Sequence, residues 1–132
     1  MSESFQPAHA DYLRDESRRV GRADRIAFPR TEAEVLAALA EARAAKLPVT
    51  TQGARTGVTG GAVPEGGLVL NLAHMDKILA AENGEMRVQP GATLAAIRAA
   101  VPPGFYFAPD PTEPSASIGG MISCNSSGAL SF

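Results

Sequence analysis

This 132-residue sequence is short of three things, and each shortage removes a class of function. It has one cysteine, Cys124, so no internal disulfide can form, and no second thiol stands by to build a thiolate metal cluster or a dithiol pair. A lone cysteine of this kind is expected as a small buried side chain. Long apolar runs are missing too: none approaches the roughly 20 residues needed to cross a bilayer. Met1 to Ala10 lacks the basic flank and apolar core of a leader peptide, so the expectation is an untargeted, cytoplasmic chain with no membrane-spanning segment. Surplus positive charge is the third absence. Twelve Lys and Arg against fourteen Asp and Glu, interspersed along the chain, give a net charge of -2 and no broad field for a nucleic acid or an anionic membrane surface. There is no internal repeat. His9 and His74 belong to no metal-ligating pattern, so no catalytic residue and no metal ligand is assigned.

An apolar fraction of 45% at this length allows one hydrophobic core and not two. Residues 1–20 read as an irregular or helical lead-in, with Asp11, Arg14, Asp15, Glu16, Arg18 and Arg19 forming a solvated charge cluster. From residue 21 onward the pattern is that of an α+β (α/β-like) domain, a small mixed sheet with flanking helices. A strand fits Arg25 to Phe28 and stops at Pro29. Thr31 and Glu34 form a capping box that opens a helix whose apolar stripe is Val35, Leu36, Leu39, Ala42 and Leu47. Lys46 suits the negative end of that helix, and Pro48 opens an extended run to Thr51. The run Gly67 to Leu72 reads as a strand buried on both faces. Asn83-Gly84 is a turn signal, and Glu85 to Gln89 alternates as a half-exposed strand does. A short helix fits Thr93, Leu94, Ile97 and Ala100, and Pro102-Pro103-Gly104 breaks it.

Two segments carry the chemistry. The first, Gln52-Gly53-Ala54-Arg55-Thr56-Gly57-Val58-Thr59-Gly60-Gly61, lies between two strands. Its glycines remove side-chain bulk and permit positive φ, so successive amides can turn toward one phosphate or pyrophosphate, with the Thr56 and Thr59 hydroxyls as added donors. A tightly turned surface connection is the plainer alternative. No Lys-Ser or Lys-Thr follows Gly57 or Gly60, and the spacing is not that of a Rossmann fingerprint, so the common ATP and NAD folds are disfavoured. The second segment, Pro109 to Gly128, mixes stiff prolines with small polar residues and the Gly119-Gly120 pair. It reads as a long loop that helix or sheet would poorly tolerate. Ordering two such loops costs about 1 to 2 kcal/mol per residue in backbone entropy. Something beyond core packing must therefore hold them, either a cofactor or a further half of the domain. Ala129-Leu130-Ser131-Phe132 turns apolar, as a new helix or strand does when it begins, so the domain is expected to be incomplete at its C-terminus over 21–132.

With these motifs in this order, the run from Phe28 through Gly61, followed by Asp110-Pro111-Thr112 and Ser117-Ile118-Gly119-Gly120 to Asn125-Ser126-Ser127-Gly128, resembles the start of the FAD-binding domain of the FAD-linked, vanillyl-alcohol oxidase type flavoproteins. The likeness is greatest to the branch of D-lactate dehydrogenases and the flavin subunit of glycolate oxidase. The resemblance implies the first subdomain of a bipartite FAD-binding domain, in the N-terminal portion of an oxidoreductase that converts a small 2-hydroxy acid to a 2-oxo acid and passes electrons to an acceptor. It assigns the FAD pyrophosphate to Gly53, Ala54, Arg55, Thr56, Gly57, Thr59, Gly60 and Gly61. Along the ribityl chain and isoalloxazine it assigns Pro111, Thr112, Ser117, Gly119, Gly120, Asn125, Ser127 and Gly128. Some members tether FAD through a histidine in the first loop. Arg55 and Thr56 stand there instead, which implies non-covalent FAD. The base, the substrate-carboxylate ligands and any catalytic metal would lie in the other portion. The fragment by itself is then expected to be inactive, and an exposed apolar edge near Phe132 to favour self-association. The rival reading is a non-catalytic module that uses the same amide-rich loops for an anion or a partner chain.

Overall fold

A computed structural model describes residues 1–129. The tetrapeptide Leu68–Asn71 is buried at every position, and it becomes the inner strand of a four-stranded sheet. Numbering along the chain, β1 is Glu3–Ser4, β2 Arg25–Ala27, β3 Val49–Gln52 and β4 Leu68–Asn71. The order is β1-β2-β4-β3, with β1 antiparallel to β2 and both β2 and β3 parallel to β4. This is the expected small mixed sheet with helices beside it. The register pairs Ile26 with Val69 and Ala27 with Leu70, so alternate side chains fall on opposite faces. On one face Ala27, Leu68 and Leu70 meet Ala38 and Ala42 of the helix α1, Glu32–Ala44, with Val35, Leu47 and Leu72 at the margin. Burying each leucine contributes about 1.5 to 3 kcal/mol.

The α1 start departs from the expected capping box in one detail. Thr31 Oγ1 accepts from the Glu34 amide at 3.2 Å, but the Glu34 carboxylate accepts from the Arg30 amide at 2.7 Å instead of returning to Thr31. The apolar stripe is also displaced. Val35, Ala38 and Ala42 face the sheet, whereas Leu36 is 67% and Leu39 39% exposed. At 3.6 residues per turn the two small alanines lie on one face and let the backbone approach the sheet, which rotates the leucines outward. The helix closes through Lys46, held at φ 54, with the Lys46 amide donating to the Arg43 carbonyl and the Leu47 amide to the Ala42 carbonyl. This Schellman pattern turns Leu47 back toward the core.

The lead-in joins the sheet through β1, then forms a 3-10 helix at Pro7–Leu13. Its charge cluster is not wholly solvated. Arg14 bridges Val20 and the Gly21 amide donates to the Leu13 carbonyl at 2.7 Å, and the chain between them carries Asp15 inward to 7% exposure.

Past the sheet, β5 (Ile78–Glu82) and β6 (Glu85–Val88) form a hairpin that turns at Asn83 and Gly84, both at positive φ as a type I′ turn requires. The helix α2, Leu94–Ala100, begins at a Thr93 cap and packs against β5. The second segment was expected to be irregular, but it contains a short helix, α3, at Ile118–Ser123. Ser117 caps it by accepting from the Gly120 amide, and Met121 turns inward to 4% exposure. Gly119 suits this helix because an added Cβ would press on Pro90 Cβ and its carbonyl oxygen at 3.0 Å. Among the described residues no helix is long and apolar enough to cross a membrane. The apolar start expected at Leu130, Ser131 and Phe132, with the self-association edge beside it, lies outside the described residues.

Candidate functional site

The first glycine segment leaves the end of β3, and its two ends are tied together by buried amides. Gln52 is 2% exposed, and its Nε2 donates to the Tyr12 carbonyl at 2.7 Å and the Ala62 carbonyl at 2.6 Å. Asn71, on the neighbouring strand and 1% exposed, donates through Nδ2 to Gln52 Oε1 and to the Gly53 carbonyl, both at 3.3 Å. Its Oδ1 accepts from the Ala73 amide at 3.0 Å. Both side-chain amides are thus satisfied in place, and together they fix where the loop leaves the sheet and where it returns.

Asp15 lies against the far end of this loop. The Ser17 amide donates to its Oδ1 at 2.9 Å, while Oδ2 is buried and has no hydrogen-bond partner among the described residues. Burial pushes the Asp15 carboxyl up. Hydrogen bonding from Ser17 and the nearby amides of Ala62 and Gly60 outweigh it, holding the carboxyl below its usual range.

The second segment is held at both ends as well. An added Cβ on Gly128 would overlap the Asp110 carbonyl, so the two ends of the segment touch. Arg98 on α2 forms an ion pair with Asp110, and the Leu94 amide donates to the Ala116 carbonyl at 2.9 Å. The Ile118 amide donates to the Ala92 carbonyl at 2.8 Å and the Gly119 amide to the Pro90 carbonyl at 2.9 Å. This lays the start of α3 directly beside the first loop. A Cβ on Gly53 would overlap Ser117 Oγ, so at that point only a glycine lets the two motifs meet.

Between the two segments is a cavity of about 590 Å³. Of the residues singled out in the sequence, Gly53, Ala54, Arg55, Thr56, Gly57, Thr59 and Gly61 line it from the first loop, and Pro111, Ser117, Gly119 and Gly120 from the second. Gly60, Thr112, Asn125, Ser127 and Gly128 are not part of its lining. Gly60, at φ 81, sits against Arg19, and Gly128 serves the closure of its own segment. Asn125, at φ 48, follows the end of α3. An added Cβ on Gly57 meets no heavy atom within 4 Å, so its small size is not required by the protein's own packing.

Reading the sequence missed Asp15, Gln52 and Asn71, together with Tyr12, whose ring lies under the Arg55 guanidinium at 4.4 Å. A Gln at the last position of one strand opposite an Asn at the last position of the next was the available signal. Cys124, expected to be buried, is exposed and stands at the cavity, because it ends α3 instead of packing beneath it. His9 is part of an aromatic group with Phe5, Tyr12 and Phe28, and His74 packs against Phe28.

Whether this cavity suits FAD can be judged from its lining. Space opens above the backbone at Gly57, hydroxyls stand at Thr56, Thr59 and Ser117, and Arg55 brings positive charge, a combination that fits a diphosphate-bearing nucleotide.

Comparison with known proteins agrees. The family described as FAD binding domain matches residues 23–132. The glycolate oxidase subunit GlcD of Escherichia coli strain K12 is 41% identical over 108 residues, which are 78% of this chain and 22% of that protein. The D-lactate dehydrogenase of Anaerostipes hadrus is 36% identical over 124 residues, 89% of this chain and 26% of that protein. The chain therefore spans about a quarter or less of these relatives. Among solved structures, alkyldihydroxyacetonephosphate synthase aligns over 96% of the chain and 27% of its own length with a TM-score of 0.82 at 17% identity, a likeness of fold.

Proposed function

The chain belongs to the FAD binding domain family, and from that premise we propose that it forms one wall of the FAD site in an oxidoreductase that converts a small 2-hydroxy acid to a 2-oxo acid. The observation that carries the reading is the meeting of Gly53 with Ser117, which turns two separate glycine motifs into one cavity. The relatives named as a glycolate oxidase subunit and a D-lactate dehydrogenase support the substrate class. When bound, FAD supplies acceptance of two electrons from the substrate carbon. The residues of this chain bind and orient. In this reading the amides from Gly53 to Gly61 hold the pyrophosphate with Arg55, Thr56 and Thr59. Pro111, Thr112, Ser117, Gly119, Gly120, Asn125, Ser127 and Gly128 follow the ribityl and ring portions. FAD is non-covalent, because Arg55 and Thr56 occupy the tether position. The reaction runs in the cytoplasm, and an electron acceptor completes the cycle.

The test is to purify the full-length protein, identify any released flavin, and assay glycolate and D-lactate with an artificial electron acceptor. The expected result is FAD together with a 2-oxo acid formed in step with acceptor reduction. Flavin-loaded protein that oxidises no 2-hydroxy acid would refute the substrate class. Protein that takes up no flavin but binds an anion or a partner would support the non-catalytic reading.

A further inference from the structure

We propose that the segment ahead of the family-matched region completes the cofactor site, with the Tyr12 ring holding the Arg55 guanidinium as a cationic ligand for the FAD diphosphate. The inference rests on the cavity being the FAD site. Tyr12 precedes residue 23, where the family match begins.

Four observations meet at Arg55. It is a non-glycine residue at φ 60, a conformation that disfavours L side chains and that a glycine would take freely, so a side chain at this point works against the local backbone preference. Its guanidinium lies 4.4 Å over the Tyr12 ring, within the range of a cation–π contact. The ring is itself fixed, edge-on to Phe28 at 5.0 Å and to His9 at 6.4 Å, and the Tyr12 carbonyl accepts from buried Gln52. Arg55 forms no ion pair among the described residues, so stacking on one face leaves its N–H edge available to an anion.

Charge supplies the reason. Among the described residues lining the cavity, Arg55 is the one cation, beside the carboxylates of Asp15 and Glu113. Loop amides alone would have to hold a doubly charged diphosphate against those two carboxylates. A guanidinium held in place offsets one of those two negative charges and offers two parallel donors.

The experiment uses full-length protein stripped of flavin and titrated with FAD, in wild type, Tyr12→Phe, Tyr12→Leu, Arg55→Gly and the Tyr12→Leu/Arg55→Gly double variant. Arg55→Gly should weaken FAD binding about tenfold to a hundredfold. It should also leave the unfolding temperature of the flavin-free protein unchanged or raised, because glycine relieves the positive φ. A merely structural residue would lower both. Tyr12→Leu should weaken FAD about threefold to thirtyfold, and Tyr12→Phe, which keeps the ring, less than about twofold. In the Arg55→Gly background Tyr12→Leu should add less than about twofold. Full additivity in the double variant, or unchanged affinity in Arg55→Gly, overturns the proposal while leaving the FAD reading intact, and should Tyr12→Leu fail to fold, Tyr12→Met, which also removes the ring, takes its place in the same cycle with the same expected and refuting results. Wild-type protein that binds no FAD overturns both.

Discussion

Two glycines in the first loop separate the requirements of the fold from those of a ligand. A methyl group at Gly53 would overlap Ser117 Oγ and lie 3.1 Å from Ser117 Cβ. Ser117 has little room to yield: it is 3% exposed, bridges Thr93, and caps α3. Gly53→Ala must therefore displace the Ser117 hydroxyl and lose the cap, or push the two motifs apart. Either way the cost is about 1 to 3 kcal/mol of stability. At Gly57 the same methyl meets nothing within 4 Å, and φ lies outside the left-handed region, so Gly57→Ala should be neutral or stabilising by up to about 1 kcal/mol. If backbone at Gly57 approaches the FAD diphosphate, that methyl enters ligand space and weakens binding by about 1 to 3 kcal/mol, roughly fivefold to a hundredfold. Denaturant unfolding of the flavin-free full-length variants and FAD titration of the same preparations measure both quantities. Gly57→Ala with wild-type FAD affinity would refute the assignment of this loop to the pyrophosphate. Gly53→Ala with wild-type stability would refute the close approach of the two motifs.

Three further outcomes are expected. Acid precipitation of the holoprotein should leave its flavin in the supernatant; flavin retained on a peptide spanning Gly53 to Gly61 would contradict non-covalent binding. If the chain supplies one wall of the FAD site as proposed, the isolated 132 residues should show no saturable submicromolar binding of FAD by calorimetry and no turnover of glycolate or D-lactate. Asp15 has its folded carboxyl held below the usual range, so its contribution to stability is fully present above the unfolded carboxylate value and is lost as pH falls through the lower, folded one. Asp15→Asn should then unfold at a lower temperature than wild type near neutral pH, and the gap should narrow below about pH 4. A gap constant across that range would show that the charge of Asp15 does not matter.

The sequence displayed its regular elements where the physical signal is local. The apolar run at Leu68 to Asn71, the Asn83-Gly84 turn, the Thr31 cap and the short helix from about Thr93 each depend on neighbouring residues, and each appears where it was expected. The facing of α1 was not legible, because Leu36 and Leu39 are more apolar than Ala38 and Ala42, and the closeness of helix to sheet is what selects the alanines. Strand β5, Ile78–Glu82, went unnoticed because its alanines and glutamate carry weak β preference and only its hairpin partner orders it. The glycine motifs announced a cavity through their composition. The residues that fix its shape did not, since Asp15, Gln52 and Asn71 lie up to 56 positions apart and become neighbours only through the parallel pairing of β3 with β4 and the return of the lead-in.

That division explains how loops so poor in apolar area keep a defined form. A free segment the length of the first loop would lose about 1 to 2 kcal/mol per residue on ordering, more than its few hydrogen bonds offset. Here the cost is shared with the fold, because the loop bases are secured by groups that the sheet and helices already hold in place. Gln52 and Asn71 stand at the ends of paired strands, and Arg98 reaches Asp110 from α2. Within the first loop, Gly57 is the glycine at which an added Cβ would meet no heavy atom within 4 Å. A ligand entering there need order only the stretch around it, while the amides and the Arg55 guanidinium on either side are positioned beforehand. Affinity gained through such preorganisation is lost when the bases loosen, even though no ligand contact is removed. Asn71→Leu places the same kind of demand on the loop as a direct contact variant does, yet acts from beneath the cavity, by removing the donor that the Gly53 carbonyl and Gln52 Oε1 share.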